Sequence, residues 1–505
     1  MIAAVIICYF ALLIGISIYT SRKGGGNADF FKGGGKSPWY VVAIAMVGTS
    51  ISGVTFISVP GMVQASQFAY LQMALGFIAG YVAIAYVLLP LYYRMNLNSL
   101  YGYLEGRFGK FSYGSGAAFF LLSKLLGCGV RMYLTAIVLQ LVFFGPLGVP
   151  FWLNVLITMV IVWLYTFRGG VRTLVWTDMV QTLCLVGAVV LCIWAIAGEM
   201  GLDFGGLCKT IEGSGMCRMW YFDDVRDTRY FWKQFLSGMF TTIAMTGLDQ
   251  DMMQKNLSCR NLRESRKNVL SYGVAFLPVN FLFLCLGVLL YIFAADKGIS
   301  FAKPDDLFPT VACGSDASGV HYMPAAVQLL FVLGLVSAAF SSAGSALTAL
   351  TTSFTVDVLK ADRKQDEATL KKTRQRVHVC AAIVMGFVIL GFKAIGNESV
   401  INAVYTVASY TYGPLLGLYC YGIFTKRPVR DRFVPFICIL SPLICLVLST
   451  HSAEWFGGYR IGFELLLINA AISAFGLWLS GLGLKGDGAS CARSRFRKPR
   501  CRFRL

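Results

Sequence analysis

Charged residues and histidines are scarce in this sequence. Only 14% of its 505 residues are Asp, Glu, Lys or Arg, whereas 57% are hydrophobic. A water-soluble chain of this composition would need an interior larger than ordinary domains build. The three histidines, His321, His378 and His451, are far apart in the chain, which argues against a metal site. The composition therefore excludes an ordinary soluble protein and predicts a membrane protein.

The chain also lacks a hydrophilic segment long enough for a catalytic or signalling module. Its longest hydrophilic stretches, near residues 200–229, 296–321 and 359–376, have the length of connectors. We therefore predict one transmembrane domain over residues 1–484 and a basic cytoplasmic tail over 485–505. In the first of these connectors, Cys208 and Cys217 are compatible with either a disulfide or two free thiols.

Long apolar runs are abundant instead. About thirteen of them reach the length that a helix needs to cross a bilayer. They cover residues 2–20, 38–63, 69–93, 115–145, 150–167, 173–198, 230–253, 268–294, 322–354, 377–396, 398–424, 432–450 and 460–483. The first run has no basic residue before it and is followed by Arg22 and Lys23, the reverse of a secretory signal, so it is predicted to span.

The net charge of +19 follows the predicted topology. With the N-terminus outside, roughly three quarters of the Lys and Arg residues, Lys255 among them, fall in inner loops or the tail. This distribution predicts a multi-pass protein of a bacterial inner membrane with a cytoplasmic C-terminus. It also accounts for the basic charge without a nucleic-acid partner, leaving membrane lipid as the expected surroundings.

Two of the predicted spans contain helix-weakening residues. The second has hydroxyls and glycines from Gly48 to Gly61, including Pro60, and the seventh has Thr241, Thr246 and Gly247. Interrupted helices at corresponding positions, five spans apart, are typical of inverted-repeat transporters with a site at the midplane. The alternative is that both helices are merely kinked and packed through small residues.

Several polar groups lie inside predicted spans. Ser341, Ser342 and Ser345 offer the oxygen ligands that a hard cation such as sodium prefers, although small residues also let helices pack closely. Asp178 is either part of an ion path or a solvated carboxylate at a helix end. Arg131 is either an anion-binding residue or a tie between helices.

Lys124 lies in the same span as Arg131, closer to the cytoplasmic half, where its amine is expected to reach toward water. Asp249 and Asp251 are the nearest approach to a paired-carboxylate catalytic site. Because they are two residues apart, they are not expected to share a helix face. A membrane-embedded enzyme is therefore a remote alternative, and we predict that the chain is not an enzyme.

The chain resembles the sodium:solute symporter family from the first span to about residue 425. The resemblance lies in the order and spacing of six segments: residues 52–61, 104–109, 169–181, 247–251, 341–345 and 413–417. It implies a leucine-transporter-like fold, all-α and polytopic, with ten core helices in two inverted halves. These halves cover residues of about 38–198 and 230–424, within the thirteen or so predicted spans.

The resemblance also implies a sodium site between the first and eighth core helices. Its ligands would be the backbone carbonyls of Gly48, Ile51 and Ala338 and the hydroxyls of Ser341 and Ser342. Sialic acid transporters of the family have a second sodium site that corresponds here to Asp178, Ser341, Gly344 and Ser345. Gly344 has no side-chain oxygen, so the second site and the number of sodium ions per cycle stay open.

The same branch implies that Arg131 binds a substrate carboxylate, with Ser50, Ser52, Thr55 and Gln72 around it. The chain also resembles the iodide, monocarboxylate and multivitamin branch, which handles anions. The resemblance therefore implies a sodium-coupled symporter that imports a small polar, anionic solute by alternating access. A sugar or inositol carrier of the same family is the alternative, and the oligomeric state is left open.

Overall fold

The computed structural model describes residues 2–22, 26–95, 99–167, 170–315, 319–395, 400–459 and 461–484. In these ranges the regular structure is helical, and the only β pairing consists of two isolated bridges. The predicted all-α architecture is confirmed. The basic tail over residues 485–505 lies outside the described residues.

The helices of the first half follow the predicted apolar runs. They are α1 (Ile2–Arg22), α2 (Asn27–Lys32), α3 (Trp39–Ser50), α4 (Gly53–Gly61), α5 (Val63–Ser66), α6 (Tyr70–Ala83), α7 (Leu89–Met95), α8 (Gly102–Arg107), α9 (Lys110–Leu139), α10 (Phe151–Thr166), α11 (Gly170–Glu199) and α12 (Phe204–Gly213).

The helices of the second half do the same. They are α13 (Phe231–Thr242), α14 (Gln250–Leu257), α15 (Leu262–Asp296), α16 (Leu307–Cys313), α17 (Ala325–Ser353), α18 (Ala361–Lys364), α19 (Glu367–Ile395), α20 (Val400–Phe424), α21 (Val434–Trp455) and α22 (Leu465–Ser480).

Each predicted span overlaps at least one of these helices. Seven helices of the described residues are long and apolar enough to cross a membrane, and α3 with α4 forms an eighth span if the bent pair is counted as one. Three shorter apolar helices, Cys8–Thr20, Phe151–Thr166 and Leu465–Ser480, accompany them. The chain is thus a multi-pass membrane protein, whereas the number thirteen stays a prediction.

Both predicted interruptions are present. Helices α3 and α4 meet at a 58° bend, where Ile51 and Ser52 have extended backbone angles. Helix α13 continues as a π-helical turn to Gly247, and the helical backbone then stops until α14 begins at Gln250. Glycine permits close packing at the first break, because a Cβ atom at Gly48 would overlap Thr182.

The helices around these breaks form two groups. In the first group, α15 packs on α3, α4 and α6, α6 packs on α13, and α14 contacts α3 and α15. In the second group, α9, α10, α17 and α19 pack on one another. Helix α11 contacts α3 of the first group and α17 of the second, and α20 packs on α9 and α22. The broken helices therefore face a second, separately packed unit.

Cys208 and Cys217 are two free thiols in the structure. The Cys217 thiol donates to the carbonyl of Ile211 at 3.0 Å, within the same connector. Among the described residues, no group of three or more His, Cys, Asp or Glu side chains is arranged to hold a metal ion.

Candidate ion and solute site

A central cavity of about 120 Å³ lies between the two helix groups. The first group contributes residues of α3, α4, α6, α13, α14 and α15, and the second contributes residues of α9 and α17. Helix α20 completes the wall with Tyr405 and Tyr412. Both broken helices therefore contribute residues from their interruptions to one central cavity.

The break between α3 and α4 leaves backbone carbonyls without helical partners. Ile51 N–H still bonds the Val47 carbonyl at 2.9 Å, and Phe56 N–H bonds the Ser52 carbonyl at 3.1 Å. No backbone N–H of the described residues bonds the carbonyls of residues 48–51. Such unpaired carbonyls are tolerated at membrane depth only in a protein interior or at a polar cavity.

The serine pair of α17 lies against this break. The Ser342 hydroxyl donates to the carbonyl of Thr49 at 3.2 Å, and the Ser341 hydroxyl lies 3.4 Å from Thr49 Oγ1. Ala338 lies one turn before Ser342 in the same helix, and all these residues are buried. The structure thus brings the interrupted end of α3, at Thr49, into contact with the Ser341 and Ser342 hydroxyls.

Four of the five residues that the resemblance assigns to the solute line the cavity: Ser50, Ser52, Thr55 and Arg131. The Ser50 hydroxyl is hydrogen-bonded to Tyr272, which accepts from Tyr81 at 2.6 Å. Among the described residues, no carboxylate forms an ion pair with the Arg131 guanidinium. The cavity therefore contains a partly buried guanidinium group that no carboxylate of the described residues neutralises.

Gln72 lies elsewhere. Its side chain donates to the carbonyl of Arg229 at 2.8 Å and accepts from Tyr221 N–H at 3.2 Å. Both partners belong to the connector that precedes α13, and Gln72 is absent from the lining of the central cavity. The amide thus ties α6 to this connector. We call the side of the molecule on which residues 214–230 lie the connector side.

Lys124 forms two ion pairs in the wall of the central cavity. Its ammonium is 3.1 Å from Asp249 and 2.7 Å from Asp251, and Tyr412 donates to Asp249 at 2.5 Å. The expectation that Lys124 reaches toward water was wrong, since its side chain is only 11% exposed. The two carboxylates converge because Asp249 has an extended backbone and caps α14, so helical spacing does not apply to it.

The model of the sodium:solute symporter family matches residues 30–431. The chain belongs to the sodium:solute symporter family. A sodium/sialic acid symporter of Aliivibrio fischeri is 24% identical over 467 residues, covering 88% of this chain and 86% of the relative. The human sodium/iodide cotransporter is 25% identical over 438 residues, or 82% of this chain and 65% of the relative.

The solved structure of a Na⁺-coupled sialic acid symporter, substrate-bound and outward-open, superimposes with a TM-score of 0.80. It is 20% identical and covers 96% of this chain and 98% of its own. At this identity the likeness shows the fold, and the implied leucine-transporter-like architecture is confirmed. As a member of the family, the chain is a sodium-coupled symporter, with sodium as the coupled ion.

In this symporter, Asp178 is fully buried and lies about two turns into α11. It accepts from Ser345 at 3.1 Å and from the ammonium of Lys255 at 2.6 Å. The expectation that Lys255 lies in an inner loop was wrong, since the residue is 1% exposed in α14. The sequence did not reveal this burial, because the apolar run ends near Asp249 and a loop is expected there. In the structure a further buried helix, α14, begins after the break and contains Lys255.

Proposed function

We propose that this symporter imports a small organic anion, of the carboxylate class to which sialic acid belongs, together with sodium. The observation that carries the proposal is the Arg131 guanidinium, which lines the central cavity without a carboxylate partner in the part of the chain that the structure describes. A guanidinium held in such a place favours a planar, bidentate anion. The Ser52 and Thr55 hydroxyls, which line the same cavity, supply further polar contacts.

The named solutes of the relatives support an anion. Sialic acid and iodide, which appear in the names of two relatives, are both negatively charged at neutral pH. Sialic acid is a carboxylate, which matches the fork geometry of Arg131 better than a spherical ion does.

We assign sodium to the junction of the broken helix and α17. The ligands in this proposal are the carbonyls of Gly48, Ile51 and Ala338 and the hydroxyls of Ser341 and Ser342. The Ser342–Thr49 hydrogen bond, at 3.2 Å, supports the assignment because it joins α17 to the broken helix at a carbonyl that lacks a helical partner. Uncharged oxygens suit a hard monovalent cation that has to be released in each cycle.

Coupling follows if both ligands bind one conformation better than the other. A ligand that binds both conformations equally does not change their relative populations, however tightly it binds. We propose that sodium stabilises the state that opens on the connector side, that the solute then binds at Arg131, and that relative movement of the two helix groups releases both. In this proposal the connector side and the N-terminus face outward from a bacterial inner membrane, and the protein does no chemistry on its solute.

Uptake into proteoliposomes tests the proposal. Radiolabelled carboxylates should enter with sodium outside, and much more slowly with lithium or potassium at the same ionic strength. A thermal-shift screen of carboxylates, sugars and inositols, each with and without sodium, should first identify which class stabilises the folded protein. Sodium-dependent stabilisation by an uncharged sugar alone would replace the anion proposal, and uptake indifferent to the cation would overturn the coupling.

A further inference from the structure

The ammonium of Lys255 lies at the centre of a buried cluster of oxygens. It donates to Asp178 Oδ2 at 2.6 Å, to Ser345 Oγ at 2.5 Å and to Thr49 Oγ1 at 2.5 Å. An ammonium has three N–H donors, so each of them has a partner. Lys255 is 1% exposed and the other three residues are 0–4% exposed. The cluster is therefore a complete cation site whose cation is a side chain of the protein.

The backbone holds Lys255 firmly in this place. Asp249 caps the helix by accepting from Asp251 N–H at 2.8 Å, and the Ser258 hydroxyl donates to the Lys255 carbonyl at 2.7 Å. Next to it, Ser265 donates to the carbonyl of Asn256 at 3.0 Å. Helix α14 is thus fixed at both ends and along its side. The long lysine side chain has little freedom to leave the cluster.

Asp178 explains why a cation is required there. Its carboxylate is fully buried, and Oδ1 has no hydrogen-bond partner among the described residues. A buried carboxylate without a counter-charge is strongly unfavourable. The Lys255 ammonium supplies that charge. A sodium ion at the same oxygens would lie within a few ångströms of it, and repulsion at that spacing lowers cation affinity by about a thousandfold at an effective dielectric constant of about 20.

A second feature leaves one oxygen fewer for a sodium ion, so the cluster binds sodium weakly unless the Lys255 ammonium is absent. Gly344 lies one residue before Ser345 in α17 and has no side-chain oxygen. The Tyr165 ring and hydroxyl fill the space in front of it, and a Cβ atom at position 344 would overlap them. The Tyr165 hydroxyl donates to the carbonyl of Phe340 at 2.5 Å, which keeps the ring there. The packing thus excludes a ligating side chain at this position.

We propose that Lys255 is the permanent cation of the cluster formed by Asp178, Ser345 and Thr49, and that it replaces a second sodium ion. The symporter then moves one sodium ion per solute, through the site at Ser341 and Ser342. This inference rests on the proposed function for the transport cycle but concerns a different set of oxygens. It also makes Lys255 a residue that determines the ion stoichiometry.

Two measurements test the inference. The first is the ratio of sodium to solute entering proteoliposomes, counted with both labels. A ratio of one is expected for the natural protein, and a ratio of two would overturn the inference. The second needs no solute: the thermal unfolding midpoint is followed against sodium concentration, with choline holding the ionic strength constant. Its slope reports how many sodium ions the folded state binds.

The Lys255→Met variant leaves Asp178 without its cation and should recruit sodium. Its unfolding midpoint should rise more steeply with sodium than that of the natural protein, by the equivalent of one additional ion. The double variant Lys255→Met with Asp178→Asn is the matched control, because it removes both charges. It should return to the slope of the natural protein. Equal slopes in all three proteins would contradict the inference.

The readouts separate this inference from the proposed function. If uptake proves independent of sodium, the proposed coupling fails, yet the one-ion difference between Lys255→Met and the natural protein is still expected. If Lys255→Met is recovered only from high-sodium membranes, that result supports the inference. If it folds at no sodium concentration, the flux ratio of the natural protein decides between one ion and two.

Discussion

The hydroxyls of Tyr70 and Tyr405 are 3.2 Å apart and join α6 to α20 across the central cavity. Tyr70 lines this cavity and also a second one, of about 480 Å³, that opens among residues of the connector side. The pair therefore stands between the solute site and the connector side. Its hydrogen bond links the first helix group to a helix outside that group, so we expect the bond to break when the protein opens on this side.

Removing one hydroxyl of the pair should favour the open state. A typical hydrogen bond contributes about 0.5–1.5 kcal/mol, so Tyr405→Phe should raise the population open on the connector side by about two- to tenfold. The measurement is the rate at which a membrane-impermeant thiol reagent labels a cysteine placed at Ala408, which lines the cavity, in a background without other reactive thiols. Faster labelling is expected.

Tyr410→Phe is the matched control for this experiment. It lies on the same helix, and its hydroxyl bonds Ser449 at 2.8 Å instead of the tyrosine pair. Labelling at Ala408 should keep the natural rate in this variant. A similar acceleration in both variants would mean that the Tyr70–Tyr405 contact is not a barrier.

Ser342→Ala should raise the sodium concentration for half-maximal uptake severalfold. The substitution removes one proposed sodium ligand and the contact with the Thr49 carbonyl. Thr352→Ala is a suitable control because Thr352 is also buried in α17 but bonds only the carbonyl of Thr348 in its own helix. An unchanged sodium requirement in Ser342→Ala would count against the assignment of the site.

Arg131→Met should weaken solute binding without unfolding the protein. A hydrogen bond to a charged group contributes about 1.5–3 kcal/mol, which corresponds to about 10–150-fold in affinity. The unfolding midpoint without solute should change little, because no carboxylate loses its counter-charge. Arg131→Lys should bind with intermediate affinity, since it keeps the charge but not the fork. Isothermal titration with the identified anion is the measurement, and full affinity in Arg131→Met would remove this residue from the solute site.

Lys124→Met, unlike Arg131→Met, should destabilise the folded protein. It leaves Asp249 and Asp251 buried without their cation, and breaking a buried ion pair on one side typically costs about 3–5 kcal/mol. The unfolding midpoint in detergent should fall by many degrees. The variant Lys124→Met with Asp251→Asn should recover part of the loss. A midpoint as high as that of Arg131→Met would show that the ion pairs carry little of the stability.

The connector provides a prediction about pH. A hydrogen bond from Arg229 holds the pKa of the Asp227 carboxyl below its ordinary value, with the two side chains 2.8 Å apart. A lowered pKa means that the contact is complete above the pKa of a free aspartate, about 3.9, and is lost only as pH falls below it. Hydrogen exchange of residues 218–230 should be faster in Asp227→Asn than in the natural protein. The ratio of the two proteins' protection factors, which corrects for the intrinsic pH dependence of exchange, should be the same at pH 8 and pH 5. A ratio that approaches one by pH 5 would contradict the assignment.

Much of the membrane architecture was predictable because it depends on local sequence. A bilayer requires long apolar helices, and the breaks at Ile51 and beyond Gly247 follow from hydroxyl, glycine and proline content within otherwise apolar runs. The family could be inferred from short segments whose order and spacing are specific. The grouping of Ser341 and Ser342 with the broken helix came from that resemblance, since the residues by themselves favoured close helix packing.

The sequence by itself therefore determined that this chain crosses a membrane many times, which helices are interrupted, and to which family it belongs. Only the tertiary structure decided the partners of the charged groups. Lys255 and Asp178 are 77 positions apart, and Lys124 is 125 positions from Asp249. Whether a charge in or near a span meets water, a solute or another side chain depends on how separate helices pack, and that packing is not encoded in the periodicity of any one segment.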